Sequence, residues 1–479
     1  MKNGYKVYKN VILITTIIAV FVSLLSNKGY GYEFIYFVPS VYLVLLIMCK
    51  RVHFYSSKYN GLLILNVLMF FKYVVAILAI CVTQSYTLPS YYAVSVLQSS
   101  YHWATFIVIG EEIAVFLTIE LCADTIYKSK NNQIHVEKKY DRVKMGPVIY
   151  LFIILSFICA VLMPKYLFGT VGILFSSENQ MTQTVETSHV MSMFFGAFKI
   201  IFVGLLINKA IVKYQEYHKI RYVIYSYLLI AVHCFFNIST SRMNIIIPFF
   251  LFVLITSKIY GKVGLWFNIV VGISLSAIIG VVSVYKMPWI FVGNTSPFIA
   301  FFSDFAKRLQ EYTSNIMPTA MGLQAIEAYK SSIDITTFFK DIFGVMPIIS
   351  HLINENEMIY TIYNQYALAG INNTQLIPMT ISSIAYFTPI FAYLLVIICT
   401  LLLMKIEDKN NYEATNYIND YLKLYLFFVF ASCTFSNVQM LAGRLFTNYI
   451  PAMVILYLNQ YIGRDTKIII GKRRDEKNK

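Results

Sequence analysis

Charge is what this 479-residue chain has least of: Asp, Glu, Lys and Arg make up 13% of it. A soluble domain carries about 25%. With 58% hydrophobic residues and a mean hydropathy of +0.63, the composition reads as an all-α polytopic membrane protein. Cysteine is scarce too. The seven (Cys49, Cys81, Cys122, Cys159, Cys234, Cys399 and Cys433) all lie in or beside apolar runs, with no Cys-x-x-Cys pair. That excludes a disulfide framework and a cysteine metal site. No P-loop occurs, and no Gly-x-Gly-x-x-Gly follows a strand pattern, which argues against direct use of ATP or a cytoplasmic sugar nucleotide. No small-residue cleavage site follows the run Val11–Leu25, so it is expected to be a first span rather than a signal peptide. The net charge of +15 is spread over short loops, and no nucleic-acid partner is expected.

What the chain does contain is a succession of apolar runs. A spanning helix needs about 20 mostly apolar residues. Twelve spans are expected, over 9–26, 34–49, 61–82, 102–122, 147–163, 191–208, 222–238, 245–257, 264–285, 376–404, 424–437 and 447–462. They make one integral membrane domain, 1–479. A cytoplasmic N-terminus puts 28 of the 39 Lys and Arg residues on the cytoplasmic side and 9 outside, with Lys72 and Lys199 inside spans. By the positive-inside rule both termini are cytoplasmic. The polar stretch Lys286–Thr374 then forms a large extracytoplasmic loop, 286–375, with five basic and seven acidic residues. A loop of roughly 90 residues far exceeds an ordinary helix connection and is usually functional or disordered. Its aromatics, prolines and amphipathic segment argue for a folded one. Tyr (38) and Phe (37) are abundant, which suits interfacial belts as well as a sugar- or lipid-facing surface.

Several residues are candidates for chemistry. Arg242 sits in the turn Ser239-Thr240-Ser241-Arg242-Met243-Asn244, whose hydroxyls and Asn244 can satisfy backbone groups freed by a helix break. The planar guanidinium suits phosphate or carboxylate; the alternative is an arginine snorkelling to headgroups. Arg444 occupies the matching outer turn before the last span. Arg308 begins the long loop, where a solvated helix face competes with ligand binding. Ile335, Phe338, Phe339, Ile342 and Ile349 recur at helical spacing, with Asp334, Lys340 and Asp341 on the other face. Such a segment lies along a membrane surface and brings His351 to the boundary, where it is either a general base or a loop residue hydrogen-bonding backbone. Glu355 and Glu357 are rival bases. Inside the spans, Lys72, Glu111 and Glu112 are costly charges. They form either structural glue or a cation or proton relay. Lys199 lies nearer the outer face, and His233 reads as a satisfied helix histidine.

The architecture and several motifs resemble the bacterial oligosaccharide repeat-unit polymerases, the Wzy type that build O-antigen and capsular polysaccharide. The resemblance covers most of the chain. It rests on a dozen spans, a large late outer loop, the turn Ser241-Arg242, the stretch Asp341-Ile342-Phe343-Gly344-Val345-Met346-Pro347 before His351, and Gln375-Leu376-Ile377-Pro378-Met379-Thr380 leading into a long span. One departure stands at Tyr386-Phe387-Thr388-Pro389, where family members often end an aromatic segment in Phe-Gly, and Thr388 is given no role. The resemblance implies a glycosyltransferase of the bacterial cytoplasmic membrane. The donor is a polymer on undecaprenyl pyrophosphate, and the acceptor is the terminal sugar hydroxyl of an incoming lipid-linked repeat unit. The pyrophosphate is already an activated leaving group, so the protein has to position two lipid ends, stabilise charge and accept one proton. Arg242 and Arg444, with Arg308 and Asn244, are the implied pyrophosphate and glycan ligands, and His351 the base. No cofactor or metal is called for. The implied partners are the lipid-linked oligosaccharide, membrane lipid and a chain-length regulator protein. A flippase for lipid-linked oligosaccharide and a polysaccharide ligase are the alternatives.

Overall fold

The computed structural model describes residues 2–87, 92–127, 139–162, 189–235, 243–285, 297–347, 349–369, 376–409 and 416–475. Helices dominate, and no strand occurs among these residues. In chain order they are α1 (Lys2–Leu25), α2 (Phe37–Met48), α3 (Lys50–Ser56), α4 (Asn60–Thr83), α5 (Gln98–Ile126), α6 (Pro147–Leu162), α7 (His189–Tyr217), α8 (Ile220–Phe235), α9 (Met243–Ile259), α10 (Gly261–Tyr285), α11 (Pro297–Tyr312), α12 (Ile316–Ala328), α13 (Ile335–Phe343), α14 (Ile359–Leu368), α15 (Met379–Tyr386), α16 (Leu394–Lys409), α17 (Tyr417–Ala431) and α18 (Val438–Ile462). The chain forms two compact units. Unit 1 contains Met1–Gln133, Trp289–Asn411 and Phe427–Gly443; unit 2 contains Ile134–Pro288, Tyr412–Leu426 and Arg444–Lys479.

Among the described residues, five helices are long and apolar enough to cross a membrane: Tyr8–Leu25, Asn60–Thr83, Met193–Tyr217, Pro389–Lys409 and Val438–Ile462. A sixth results if α2 and α3, bent by 78°, count as one span. Pro147–Leu162, Ile220–Cys234, Ile245–Ile259 and Gly261–Ser276 are apolar but shorter. The expected twelve spans therefore reduce to five or six by length and composition. The differences have local causes. The run 376–404 splits into α15 and α16, with Pro389 opening a separate short turn; proline lacks the amide a continuous helix needs. Run 424–437 stops at Ala431 and becomes a 3₁₀ turn. The 29-residue α5 is long enough but carries Glu111, Glu112, Glu120 and Asp124.

The apolar helix α1 turns most of its bulk outward. On α1, Ile12, Thr16, Ala19 and Ser23 are buried, a stripe at helical spacing, while Val11, Ile14, Ile18 and Phe21 are exposed. A helix apolar on its exposed face needs a non-aqueous surrounding. Its buried hydroxyls are satisfied locally: Thr16 Oγ1 donates to Ile12 O at 2.7 Å and Ser23 Oγ to Val20 O at 2.9 Å.

The described part of the long polar stretch folds as α11 to α14 with short 3₁₀ turns between them. It differs from a loop lying wholly outside the bundle. On α12, Ile316, Met317, Pro318, Thr319, Ala320, Met321, Gly322, Gln324 and Ala325 are all buried, and α12 packs on α5. Gly322 permits close packing of α12 on α15 as well, since a Cβ there would lie 2.8 Å from Ile381 Cγ2. Small residues let helix backbones approach in this way.

A carboxylate secures the start of α4. Glu407 accepts from the Gly61 amide at 2.6 Å, the Leu62 amide at 3.2 Å and Tyr127 Oη at 3.3 Å. The first amides of a helix have no intrahelical partner, and a carboxylate there also meets the positive end of the helix dipole. Glu407→Ala is expected to destabilise the protein by about 1–3 kcal/mol. Thermal unfolding of the detergent-solubilised protein checks this, with Glu407→Gln intermediate.

Candidate functional site

Unit 1 holds a buried polar centre where three interruptions of helical structure meet. The first is a π turn in α4, Phe71–Val75, a feature frequent at functional sites. It contains Lys72, which is fully buried. Lys72 Nζ donates to Glu111 Oε1 at 2.5 Å and to Thr434 O at 2.7 Å. Tyr73 Oη donates to the same Glu111 oxygen at 2.6 Å. The second interruption is Thr313-Ser314-Asn315 between α11 and α12, with Ser314 in the left-handed region at φ +50°. Asn315 accepts from the Ile316 amide at 2.9 Å and donates through Nδ2 to Lys72 O at 2.6 Å. Ser314 Oγ donates to Phe435 O at 3.1 Å. The third is Ser432–Asn437 between α17 and α18, whose Thr434 and Phe435 carbonyls receive those bonds. Each break is thus bonded to another. Irregular backbone at membrane depth requires satisfaction of this kind.

The candidates Lys72, Glu111 and Glu112 are therefore brought together, and Lys72 and Glu111 form an ion pair. Glu112 is different. It is fully buried, and neither carboxylate oxygen has a hydrogen bond. Thr434 Oγ1 and Asn437 Nδ2 are also buried without a hydrogen-bond partner. Thr434, Asn437, Ser314 and Asn315 are not among the candidates that the sequence suggests. Their signal is present there as short polar runs, Thr313-Ser314-Asn315 and Ser432-Cys433-Thr434, inside otherwise helical segments.

In unit 2 the cations gather on the pair α7 and α18. A second π turn, Leu445–Tyr449, follows Arg444 directly. Gly196 lets this turn come close, since a Cβ there would lie 2.5 Å from Asn448 Oδ1. Asn448 Nδ2 donates to Tyr425 Oη at 3.0 Å, and Arg444 lies within electrostatic reach of that tyrosine. Lys199 is three residues beyond Gly196 and within electrostatic reach of His233. Lys199 and Arg444 are each about one helical turn from the Gly196–Asn448 contact. His233 is buried and packs against the Tyr421 ring, with centroids 5.8 Å apart.

The remaining candidates are not assembled into one cluster. Arg242 lies outside the described residues. Asn244 stands in the first turn of α9. Arg308 is not on a solvated face: it is 8% exposed, and its Nε donates to Asp304 at 2.6 Å. His351 lies exposed in the 3₁₀ turn Ile349–Leu352. Glu357 pairs with Lys340 at 2.5 Å, and that hydrogen bond holds its carboxyl below the usual range, which weakens it as a base near neutrality.

Asp341 departs from the helical-spacing reading of α13. The spacing places it on the outward face with Lys340, but it is buried, accepting from the Ile359 amide at 3.1 Å and from Tyr386 Oη. It therefore ties α13 to the start of α14 and to α15. Asp334 does face out, as the N-cap of α13 in a capping box with Thr337.

Comparison of the chain with protein-family models, with curated proteins and with solved structures finds no match. Among the described residues no group of three or more His, Cys, Asp or Glu side chains is arranged to hold a metal ion.

Burial pushes the Asp341 carboxyl up to about 7, against the two hydrogen bonds that lower it. A carboxyl raised on folding contributes most stability below its unfolded value, about 3.9, and loses it as pH rises through the folded value. The protein is thus expected to lose stability between about pH 4 and pH 7 through this group. Asp341→Asn is expected to flatten that part of the stability–pH profile, measured by thermal unfolding across the range.

Proposed function

We propose that the protein is a membrane glycosyltransferase that joins lipid-pyrophosphate-linked oligosaccharide repeat units into a surface polysaccharide, O-antigen or capsule. It would work at the outer face of a bacterial cytoplasmic membrane, with both termini cytoplasmic. The observation that carries the reading is the placement of Arg444. It stands at a π turn in an apolar helix, with Tyr425 and Asn448 beside it and Lys199 on the facing helix. Fixed donors and cations in an apolar surrounding favour a pyrophosphate over water as their ligand.

In this reading Arg444 and Arg242 hold the pyrophosphate of the donor lipid, and Lys199 adds to the positive field. The bond from the donor sugar to the pyrophosphate breaks, and the acceptor hydroxyl oxygen takes its place. The hydroxyl proton passes to a general base; His351, to which the resemblance assigns that role, lies exposed in unit 1. Arg308 has a smaller part than the sequence implied, because Asp304 already occupies its Nε and Nη2 donors. The partners are the lipid-linked oligosaccharide, surrounding lipid and a chain-length regulator.

A second reading, a flippase for the same lipid-linked substrate, is favoured by the buried meeting of helix breaks around Lys72, since discontinuous helices mark substrate and ion sites in transporters. The size distribution of surface glycan in a deletion strain separates the readings. Single repeat units are expected for loss of a polymerase, none at the surface for a flippase, and polymer retained on its carrier for a ligase. Complementation with Arg444→Ala or Arg242→Ala is expected to leave polymer yield at least tenfold below wild type at equal protein level, the loss of about 1.4 kcal/mol or more. Full rescue by both variants overturns the pyrophosphate assignment.

A further inference from the structure

The polar centre of unit 1 contains two carboxylates, Glu111 and Glu112, and one ammonium, Lys72, all buried. The geometry divides them unequally. Glu111 Oε1 receives both Lys72 Nζ and Tyr73 Oη, whereas both Glu112 oxygens are buried without a hydrogen bond. An ionised carboxylate so placed would lack both a counter-ion and donors, an arrangement far more costly than a neutral acid. Among the described residues, the surroundings supply no second cation. On α4 the facing groups are Lys72 and Tyr73. On α2 it is Tyr42, whose ring packs on Tyr73 and Phe116. The chain preceding α16 brings Tyr393 Oη to the place where a Cβ of Gly110 would stand, and Cys433 in the third break, hydrogen-bonded with Cys399 on α16, lies within the field of the ion pair. On α12 the polar groups are Thr319 and Gln324, both buried, and Glu327, exposed. Arg51 on α3 is occupied with Asp124 and Glu120 at the far end of α5, and His102 pairs with Glu33 near the other end.

We propose that Glu112 is a proton-binding site at the junction of the three helix breaks, carrying its proton in the observed arrangement. The exchange is a simple one: water supplies the proton to one carboxylate oxygen and receives it back on release, with no other bond altered. Release leaves two carboxylates competing for one ammonium. Lys72 then has to be shared between them, which weakens its bond to Thr434 O and so loosens the Ser432–Asn437 break. The same break holds two buried donors without a hydrogen bond, Thr434 Oγ1 and Asn437 Nδ2. The site thus links protonation to the geometry of the connection between α17 and α18. It is independent of the polymerase reading, because its ligand is the proton and its readout is not polymer.

Infrared spectroscopy of the purified full-length protein in lipid nanodiscs tests this by counting protonated carboxyls at neutral pH. The expected result, in an Asp341→Asn background that removes the other raised carboxyl, is a carboxylic-acid carbonyl band that is missing once Glu112→Gln is added. The band is also expected to vanish in Glu111→Gln, where Lys72 is left to pair with Glu112, and to grow in Lys72→Met, where two carboxyls have no ammonium. A spectrum unchanged by Glu112→Gln overturns the proposal. So does a wild-type band that sodium removes at constant pH, which would make the ligand a monovalent cation. Thermal unfolding gives a second measure if Lys72→Met does not fold. Glu112→Gln, an isostere of the neutral acid, is expected to unfold at the wild-type temperature and Glu111→Gln well below it. Equal losses in the two variants overturn the proposal.

Discussion

An ammonium inside an apolar helix bundle has to be met by polar groups of the protein, because the apolar side chains around it offer none. Lys72 is met by Glu111 and by the Thr434 carbonyl. Much of unit 1 follows from that requirement. Removing one member of a buried pair leaves the other uncompensated, at about 3–5 kcal/mol. The pair therefore holds α4 against α5, and the Thr434 carbonyl is available only because the chain leaves helical geometry at Ser432. The π turn at Phe71–Val75 frees Lys72 O, which Asn315 takes. One ion pair and three backbone interruptions are thus mutually dependent.

The two units use charge in different ways. In unit 1 opposite charges are placed together, and bonds to them close the helix breaks. In unit 2, Lys199 and Arg444 stand near His233 and Tyr425 in apolar helices. A catalyst for transfer from a lipid pyrophosphate needs fixed positive groups where the leaving group resides, and unit 2 has the suited residue types. A buried acid site such as that of unit 1 is suited instead to holding helices in register or to responding to protons. The polymerase reading draws on unit 2 and the flippase alternative on unit 1.

Much of this is legible along the chain, in unequal degrees. Apolar runs of helical length identify α1, α4, α7 and α18, because a helix that faces lipid or the interior of a helix bundle is hydrophobic over most of its length. Lys72, Glu111 and Glu112 stand out because a charge within such a run is anomalous wherever it points. The break at Ser432–Asn437 leaves only a short polar run, Ser432-Cys433-Thr434, inside an apolar one, too brief to divide the run by hydropathy. Asp341 is misplaced by spacing because α13 is only nine residues long. Its apolar stripe and a single inward acid are indistinguishable on that basis, and the Ile359 amide and Tyr386, 18 and 45 residues later, decide which way that acid turns.

By itself the sequence determined composition, and composition determined class: too few charges to coat a soluble globule, enough apolar length for helices in a membrane, and a handful of charged residues out of place. Such properties depend on the local chain and on transfer from water, so they survive without knowledge of neighbours. The tertiary structure decided pairing. Lys72 finds Glu111 from 39 positions away and Thr434 from 362, α12 lies against α5 rather than in water, and Glu112 is left without a hydrogen bond. Hydrogen bonds and ion pairs act over a few ångströms, and which groups come within that distance depends on how the helices pack.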